Sequence, residues 1–363
     1  MLQDKTIAVI VPCFNEQDQI ARVLGTMPDF VDLIVVINDR SRDATAERVR
    51  EFIKRDTRPA AQIEKRARIY GGGLYDRANN LALDREKEEE RFFIPVEMAR
   101  ADNSRVVLLS HTRNGGKGAG VATGFKFTRD HNIACTAIMD GDGQMNPAEL
   151  ESICLPIVAG KADYVKGNRF KHRMASRAIP KVRFYGNAIL SILTKVATGY
   201  WRVTDTQTGY AAISRECLDN IEIHKLYGSY GVYNDLLQKL NIANFTITEV
   251  PITPVYNIGE KSKMKIMKVI PRLSRLLVRL FFERLFKKYL YTSFHPLFLL
   301  YLMSFFTFLV SIPVAVRFLY AYFALGQIWS AHLLVFINLL LFSFQSLVFA
   351  MWFDINDNDR LYI

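Results

Sequence analysis

Acidic side chains follow two apolar runs at positions where they could share a ligand. Asp140 and Asp142 end the run ACTAIMDGD (Ala134–Asp142), and Asp39 ends DLIVVIND (Asp32–Asp39). Two carboxylates at positions i and i+2, with a small residue between them, let their oxygens converge on one divalent cation. Mg²⁺ and Mn²⁺ prefer such oxygen ligands, which substrate phosphates often complete. The pattern predicts a Mg²⁺ or Mn²⁺ site, and a solvated turn is the alternative for so short a motif.

An α/β domain is predicted to position these residues. Over residues 5–256, apolar runs rich in β-branched residues alternate with helix-like segments, and Thr6–Phe14 and Ser104–His111 are two further runs. Near-continuous apolar runs are typical of buried parallel strands, so the alternation predicts a mostly parallel central sheet. Ligands of open α/β sheets bind at the carboxyl ends of strands, where the acids lie. Residues 54–102 interrupt the alternation and are interpreted as an insertion with at least one helix near the sheet edge.

Composition and charge exclude several classes of protein. The 363 residues are 50% hydrophobic and 12% aromatic, which excludes a disordered or collagenous chain. The net charge is +11, and Lys261–Lys288 holds ten basic residues against one acid. A basic block beside apolar spans favours anionic lipid headgroups over nucleic acid. The four cysteines have no C-x-x-C spacing, which predicts buried thiols in a reducing compartment without a disulfide or zinc site.

Two long apolar runs predict a membrane anchor. Phe294–Val316 and Ile328–Phe353 are 23 and 26 residues without a formal charge, enough to cross a bilayer core of about 30 Å. Basic residues upstream favour a cytoplasmic domain with both termini on that side. Two buried helices of a soluble domain are the alternative.

The segment before these runs, Ile266–Leu290, has an amphipathic helical pattern. An apolar stripe at Leu273, Leu276, Leu277, Leu280, Phe281 and Leu285 is accompanied by Arg272, Arg275, Arg279 and Arg284 on other faces. This pattern predicts a helix in the membrane interface, and the alternative is a helix packed on the soluble domain.

Seven motifs in register resemble one enzyme family. They are VPCFNE (Val11–Glu16), INDRSRDAT (Ile37–Thr45), NGGKGAG (Asn114–Gly120), MDGDGQMNP (Met139–Pro147), KGNRF (Lys166–Phe170), DTQTGYAAISR (Asp205–Arg215) and GEKSKMK (Gly259–Lys265). Together they resemble family 2 glycosyltransferases with the GT-A (nucleotide-diphospho-sugar transferase, Rossmann-like) fold. More narrowly, they resemble the polyprenyl-phosphate glycosyltransferases of the dolichol-phosphate mannose synthase-like group. The resemblance covers nearly the whole chain outside the insertion.

The resemblance implies a set of donor-binding residues. Those implied to bind the nucleoside diphosphate sugar are Pro12, Glu16, Asp39, Lys117, Asp140, Ser262 and Lys263. Asp142 and Gln144 match the metal ligands, and Ser262 and Lys263 match a mobile loop that closes over the diphosphate. The family commonly has two acids after the second strand. Asn38 occupies the first of these positions, which is a departure from the pattern.

On the acceptor side, Arg169 matches a basic residue that contacts phosphate, with a surface salt bridge as the alternative. Arg177 and Arg183 are candidates to hold an anionic headgroup, and general attraction to acidic lipids is the alternative. Asp205 matches an acid near the reacting phosphate and sugar, where a structural cap is the alternative. With Asp140, Asp142 and Arg169, it completes the predicted catalytic set. Asp235 falls where other members place an acid, and a helix-surface charge is the alternative.

The predicted organisation is a catalytic domain at 1–258, a mobile loop and basic helix at 259–290, two transmembrane helices at 291–355 and a cytosolic tail at 356–363. The expected reaction is inverting, metal-assisted transfer from a UDP- or GDP-sugar to undecaprenyl or dolichyl phosphate at the cytoplasmic face. Membrane lipids are further expected partners, nucleic acid is not, and a homo-oligomer stays open. The alternatives are a processive polysaccharide synthase, although a Q-x-x-R-W motif is missing, and a non-catalytic, membrane-anchored lipid-binding protein.

Overall fold

The computed structural model describes residues 1–56, 58, 63, 65–67, 69–101, 104–171, 181–255, 266–326 and 330–363. Eight strands form one sheet within these residues. The strands are β1 (Ile7–Cys13), β2 (Leu33–Asn38), β3 (Val96–Ala99), β4 (Val106–His111), β5 (Cys135–Ile138), β6 (Tyr164–Asn168), β7 (Ala211–Ser214) and β8 (Ile247–Pro251). Their order is β3-β4-β2-β1-β5-β7-β6-β8. Only β3 and β7 run antiparallel to their neighbours among these strands, so the predicted mostly parallel α/β fold is confirmed.

Helices cover both faces of the sheet. They are α1 (Ile20–Gly25), α2 (Thr45–Arg55), α3 (Arg77–Glu89), α4 (Lys117–Asp130), α5 (Leu150–Val158), α6 (Lys181–Thr198), α7 (Arg215–Asn220), α8 (Val232–Ile242), α9 (Ile266–Phe286), α10 (Pro296–Leu325) and α11 (Ser330–Asp359). One apolar core includes Phe125 of α4 and Leu236 of α8, and the other includes Ile20 of α1 and Ile153 of α5. Because both faces are covered, every residue of β2 is buried, which explains its uninterrupted apolar sequence.

Residues 54–102 contribute α3 and the edge strand β3. β3 pairs antiparallel with β4, from Val96 opposite His111 to Ala99 opposite Leu108. At the end of α3, the carboxylate of Glu89 lies 3.5 Å from Nη1 of Arg129 on α4. The interrupting segment is therefore attached at the β4 edge of the sheet, far from β8 in the strand order.

The last two helices, α10 and α11, form an apolar hairpin. Pro296–Ala324 and Ser330–Asp359 are, among the described residues, two helices long and apolar enough to cross a membrane. Large apolar side chains such as Phe306, Phe323 and Phe344 are exposed along them. Beyond α11, the chain returns to the α/β domain, where Tyr362 forms a parallel bridge with Ile247 at the start of β8. Both ends of the hairpin therefore lie on the side of the α/β domain.

Helix α9 packs on the protein with the stripe that was predicted to face the membrane. Leu276, Leu277, Leu280, Phe281 and Leu285 are buried in a cluster with residues of α10 and α11. For this apolar stripe, the alternative prediction of a helix packed on the domain therefore holds. A different side of α9 exposes Val278, Phe282 and Phe286.

The prediction that Arg284 lies on a face other than that of the buried apolar stripe was wrong. Both of its terminal nitrogens donate to the two oxygens of Asp354 on α11, each at 2.7 Å, and both side chains are buried. Asp354 directly follows the uncharged run that predicted the second span, so no local pattern indicated the pairing. Nearby, Lys288 donates to Asn358 at 2.8 Å and to the backbone oxygen of Asn241 at 3.0 Å. Arg284, Lys288, Asp354 and Asn358 are called the junction cluster below.

Candidate active site

Three loops with polar side chains begin at one edge of the sheet. The register of β1 places Cys13 opposite Asn38 of β2 and Ile10 opposite Ile138 of β5. Backbone hydrogen bonds continue beyond the strands, from the N–H of Asp39 to the oxygen of Cys13 at 3.0 Å. The predicted convergence of residues 12–16, 39 and 140–144 therefore matches the structure, as expected for adjacent parallel strands.

Asp39 anchors the glycine-rich loop before α4. Its Oδ1 accepts from the N–H of Gly115 at 2.7 Å and pairs with Nδ1 of His111 at 2.8 Å, while its Oδ2 accepts from the N–H of Gly116 at 2.8 Å. Gly116 has φ +84°, a conformation that favours glycine. Asp39 therefore fixes the loop that leads to Lys117. His111 was not singled out from the sequence, although a polar residue ending an apolar strand is a usable signal.

Lys117, Asp140 and Asp142 form the acidic centre of the site. Nζ of Lys117 donates to Oδ2 of Asp140 at 2.7 Å. The buried Oδ1 of Asp140 and Nε2 of Gln144 have no hydrogen-bond partner among the described residues. Burial and the neighbouring Asp140 raise the pKa of Asp142 to about 6. A raised pKa and an unpartnered carboxylate oxygen both indicate a place where a cation would be stabilised.

The donor set of this centre fits a hard divalent cation. Within the described ranges, no group of three His, Cys, Asp or Glu side chains is arranged to hold a metal. Asp142, Gln144 and Asp140 instead offer carboxylate and amide oxygens, which leaves positions for water or phosphate oxygens. Mg²⁺ is commonly bound in this manner, by one or two carboxylates together with substrate phosphates.

Arg169 and Asp205 form a bidentate ion pair in which the Asp205 side chain is fully buried and that of Arg169 is partly exposed. Nε and Nη2 of Arg169 donate to Oδ2 and Oδ1 of Asp205 at 2.8 and 2.9 Å, and the Arg169 N–H adds a third hydrogen bond at 3.1 Å. Burial of Asp205 would raise its pKa, but the hydrogen bonds and charge of Arg169 lower it below the ordinary value. Both oxygens of Asp205 therefore accept hydrogen bonds in the ionised state.

Lys166 and Tyr233 connect the acidic centre with the Arg169–Asp205 pair. Neither of them was selected from the sequence. The ring of Tyr233 lies 5.1 Å from Nζ of Lys117 and 5.3 Å from Nζ of Lys166. Burial lowers the pKa of Lys166 to about 8, and its Nζ donates to the backbone oxygen of Thr208. The side chain of Tyr233 is buried as well. The sequence signal that could have identified Lys166 is a lysine within the strand segment DYVKGN.

The remaining predicted residues are not part of the acidic centre or of the Arg169–Asp205 pair, and some lie outside the described residues. Pro12 lies near the end of β1, and Glu16 follows in the first loop, where its N–H donates to Oγ1 of Thr45 at 2.8 Å. Asp235 is buried instead of lying on a helix surface, and it accepts from Lys239 and from the N–H of Tyr227. Arg177, Ser262 and Lys263 lie outside the described residues, as does the side chain of Arg183.

Gly118 is required by a close approach of two backbones. A Cβ at this position would lie 1.9 Å from the backbone oxygen of Tyr227. We therefore expect Gly118→Ala to displace the start of α4 and to lower the free energy of unfolding by about 1–3 kcal/mol. Thermal unfolding measures this loss. Gly72→Ala is the control, since its Cβ would meet no described atom within 4 Å, and equal melting temperatures for both variants would contradict the expectation.

Several known proteins are similar to this chain in sequence or in fold. Residues 94–222 match the family model "Glycosyl transferase family 2". The chain is 25% identical to UDP-N-acetylglucosamine--dolichyl-phosphate N-acetylglucosaminyltransferase of Methanococcus voltae, over 70% of this chain and 88% of that one. It is 30% identical to polyprenol monophosphomannose synthase of Mycolicibacterium smegmatis, over 43% and 59% of the two chains. Glucosyl-3-phosphoglycerate synthase of Mycobacterium tuberculosis matches at a TM-score of 0.47 and 18% identity, over 77% of this chain and 80% of that one. Over residues 94–222, the chain therefore carries a region that matches the family 2 glycosyltransferases.

Proposed function

We propose that the protein transfers a sugar from a UDP- or GDP-sugar to a polyprenyl phosphate, such as dolichyl or undecaprenyl phosphate, at the cytoplasmic face of a cell membrane. The observation that carries the proposal is the acidic centre, where Asp140 has a buried, unpartnered oxygen beside Lys117 and Asp142. Two relatives, the dolichyl-phosphate N-acetylglucosaminyltransferase and the polyprenol monophosphomannose synthase, support this acceptor class.

The donor diphosphate is assigned to the edge formed by the first loop, the glycine-rich loop and the acidic centre. Asp142 and Gln144, with Asp140 beside them, would hold Mg²⁺ or Mn²⁺. Such a cation, when bound, offsets negative charge on the leaving diphosphate. Lys117 adds a fixed positive charge at the start of α4, where backbone N–H groups also favour an anion. Pro12, Glu16 and Asp39 shape the nucleotide end, and Ser262 and Lys263 are proposed to cover the diphosphate.

The acceptor phosphate is assigned to Arg169. A phosphate monoester with a second pKa near ~6 is largely dianionic at neutral pH and is itself the nucleophile. Its oxygen forms the new bond to the anomeric carbon as the bond to the diphosphate oxygen breaks, so a single displacement inverts the configuration. Asp205 then acts as the anchor of Arg169 instead of as a base, because both of its oxygens already accept hydrogen bonds.

The helical hairpin is proposed to place this site beside its lipid substrate. Next to the hairpin, α6 exposes Ile189 and Ile192, and α9 exposes Val278 and Phe282. Exposed apolar side chains on two neighbouring helices favour contact with the lipid interface. Arg177 and Arg183, close to these residues in sequence, remain candidates for the acceptor headgroup.

The test is a transfer assay with full-length, detergent-solubilised protein. Undecaprenyl or dolichyl phosphate, Mg²⁺ or Mn²⁺ and a panel of radiolabelled UDP- and GDP-sugars are supplied, and label in the organic phase is counted. We expect transfer from one donor, reduced at least about 100-fold in Asp142→Asn, because the substitution weakens binding of the cation that would offset charge on the leaving diphosphate.

The control variant is Glu151→Gln, which removes an exposed carboxylate on α5 and should leave the rate unchanged. Folded wild-type protein that transfers no label from any donor would contradict the proposed reaction. Asp142→Asn at the wild-type rate would contradict the role of the acidic centre.

A further inference from the structure

Residues 361–363, which follow α11, extend the sheet at β8. The N–H of Ile247 donates to the oxygen of Leu361 at 2.8 Å, and the N–H of Ile363 donates to the oxygen of Ile247 at 3.0 Å. Leu361 is buried in the same apolar core as Ile247. Oγ1 of Thr248 adds a hydrogen bond to the oxygen of Ile363 at 2.6 Å. The segment after the membrane hairpin, called the return segment below, is therefore part of the α/β domain.

One side chain of the return segment contacts a buried acid. The hydroxyl of Tyr362 donates to Oε2 of Glu249 on β8 at 3.3 Å. Nζ of Lys171 donates to the same hydroxyl at 3.1 Å and lies 3.7 Å from Oε2 of Glu249. The side chain of Glu249 is fully buried and is not among the residues assigned to donor or acceptor. A buried carboxylate needs such partners, because leaving it unpaired is unfavourable.

Glu249 also fixes the loop that carries Asp205. Its Oε1 accepts from the N–H groups of Thr204 at 2.9 Å and of Asp205 at 3.0 Å. Its Oε2 accepts from Oγ1 of Thr204 at 3.0 Å. The backbone of Asp205 is thus held from one side while its carboxylate binds Arg169 on the other. Hydrogen bonds join Tyr362, Glu249, Asp205 and Arg169 in one continuous series.

We propose that Glu249 is a positioning residue for the acceptor-phosphate site and that Tyr362, on the return segment, holds it in place. The orientation of Arg169 is then coupled to the helical hairpin through the segment that leaves α11. This inference rests on the proposed function, because it assigns Arg169 to the acceptor phosphate. Whether the loop of residues 204–205 depends on Tyr362 can be measured without any substrate.

Two substitutions test the series. Tyr362→Phe keeps the ring and removes only the hydroxyl, whereas Glu249→Gln turns one accepting oxygen into a donor that faces other donors. Thr248→Val is the matched control, because it removes a hydrogen bond to the same return segment without touching Glu249. Hydrogen exchange of the amides of Thr204 and Asp205 is measured on each full-length variant, together with kcat and the KM values for undecaprenyl phosphate and for the sugar nucleotide.

We expect Tyr362→Phe to accelerate exchange of these two amides and to lower kcat by about 3–10-fold, the size of one lost hydrogen bond. Glu249→Gln should have a larger effect on both, and Thr248→Val should change each by less than about two-fold. The KM for the sugar nucleotide should stay at its wild-type value in Tyr362→Phe, because the side-chain hydrogen bonds of Glu249 in the described part of the chain go to Thr204, Asp205 and Tyr362 and not to the donor loops.

Other results overturn the inference. If Tyr362→Phe shows wild-type amide exchange and wild-type kcat, the return segment does not hold Glu249 in place. If Tyr362→Phe and Thr248→Val accelerate amide exchange and lower kcat equally, the return segment contributes only general stability. If Glu249→Gln fails to fold, Tyr362→Phe decides alone. If the wild-type protein transfers no sugar, the proposed function fails, while the exchange rates still decide whether Tyr362 holds the loop.

Discussion

Arg284→Leu is expected to lower the free energy of unfolding by about 3–5 kcal/mol, since it leaves the carboxylate of Asp354 buried without its charged partner. Both side chains are at most 1% exposed, and two hydrogen bonds of 2.7 Å join them. Arg284 also donates to the backbone oxygens of Val196 and Ala197 at the end of α6. The pair therefore links α6, α9 and α11, and its loss should loosen the hairpin from the α/β domain.

The measurement is thermal unfolding of the detergent-solubilised protein, with a fall in melting temperature of roughly 5 °C or more. Arg279→Leu is the matched control, because Arg279 lies on the same helix with its side chain 77% exposed. The double variant Arg284→Leu/Asp354→Leu should recover most of the loss, since no buried charge then lacks a partner. A single variant as stable as the control would show that the junction cluster does not hold the hairpin.

Arg169→Lys is expected to lower kcat for polyprenyl phosphate by about 10²–10³-fold, the size found for removing one preorganised donor from a charge-stabilising site. Lysine keeps the positive charge but cannot form the planar, bidentate contact that Arg169 makes with Asp205. The acceptor phosphate would then meet a mobile ammonium group in place of an oriented guanidinium. Initial rates at saturating sugar nucleotide and varied acceptor measure the effect.

Arg215→Lys is the control for this substitution, because Arg215 makes a partly exposed contact of 3.5 Å with Asp219. Its rate should match that of the wild type within about two-fold, as for most surface pairs. If Arg169→Lys also retains the wild-type rate, Arg169 does not hold the acceptor, and the ion pair with Asp205 only stabilises the loop.

The sheet was predictable because its signal is local. Strands buried on both faces must be apolar at nearly every position, and β1, β2 and β4 show this in their sequences. The same reasoning placed Asp39 and Asp140 at one edge, since adjacent parallel strands end together. The antiparallel direction of β7 was not predictable, because a short buried strand has the same composition in either direction.

The contacts of the acceptor side were less predictable. Arg169 and Asp205 are 36 residues apart, and the resemblance selected both without indicating that they bind each other. Glu249 was missed altogether, since a single acid in a half-polar strand is typical of a solvated edge. One of its hydrogen-bond partners is Tyr362, which is 113 residues away in sequence. Pairings of this length are decided by how the helices and the return segment pack.

The sequence by itself determined the α/β class, the edge of the sheet that carries the acidic centre and the two apolar helices. Each of these follows from the type and spacing of residues that are close along the chain. Tertiary structure alone decided that Arg284 faces Asp354 instead of lipid headgroups, and that Asp39 fixes the glycine-rich loop. A charged side chain has the same local sequence whether water or a buried partner surrounds it. Its partner is set by packing between elements distant in sequence, which residue spacing does not encode.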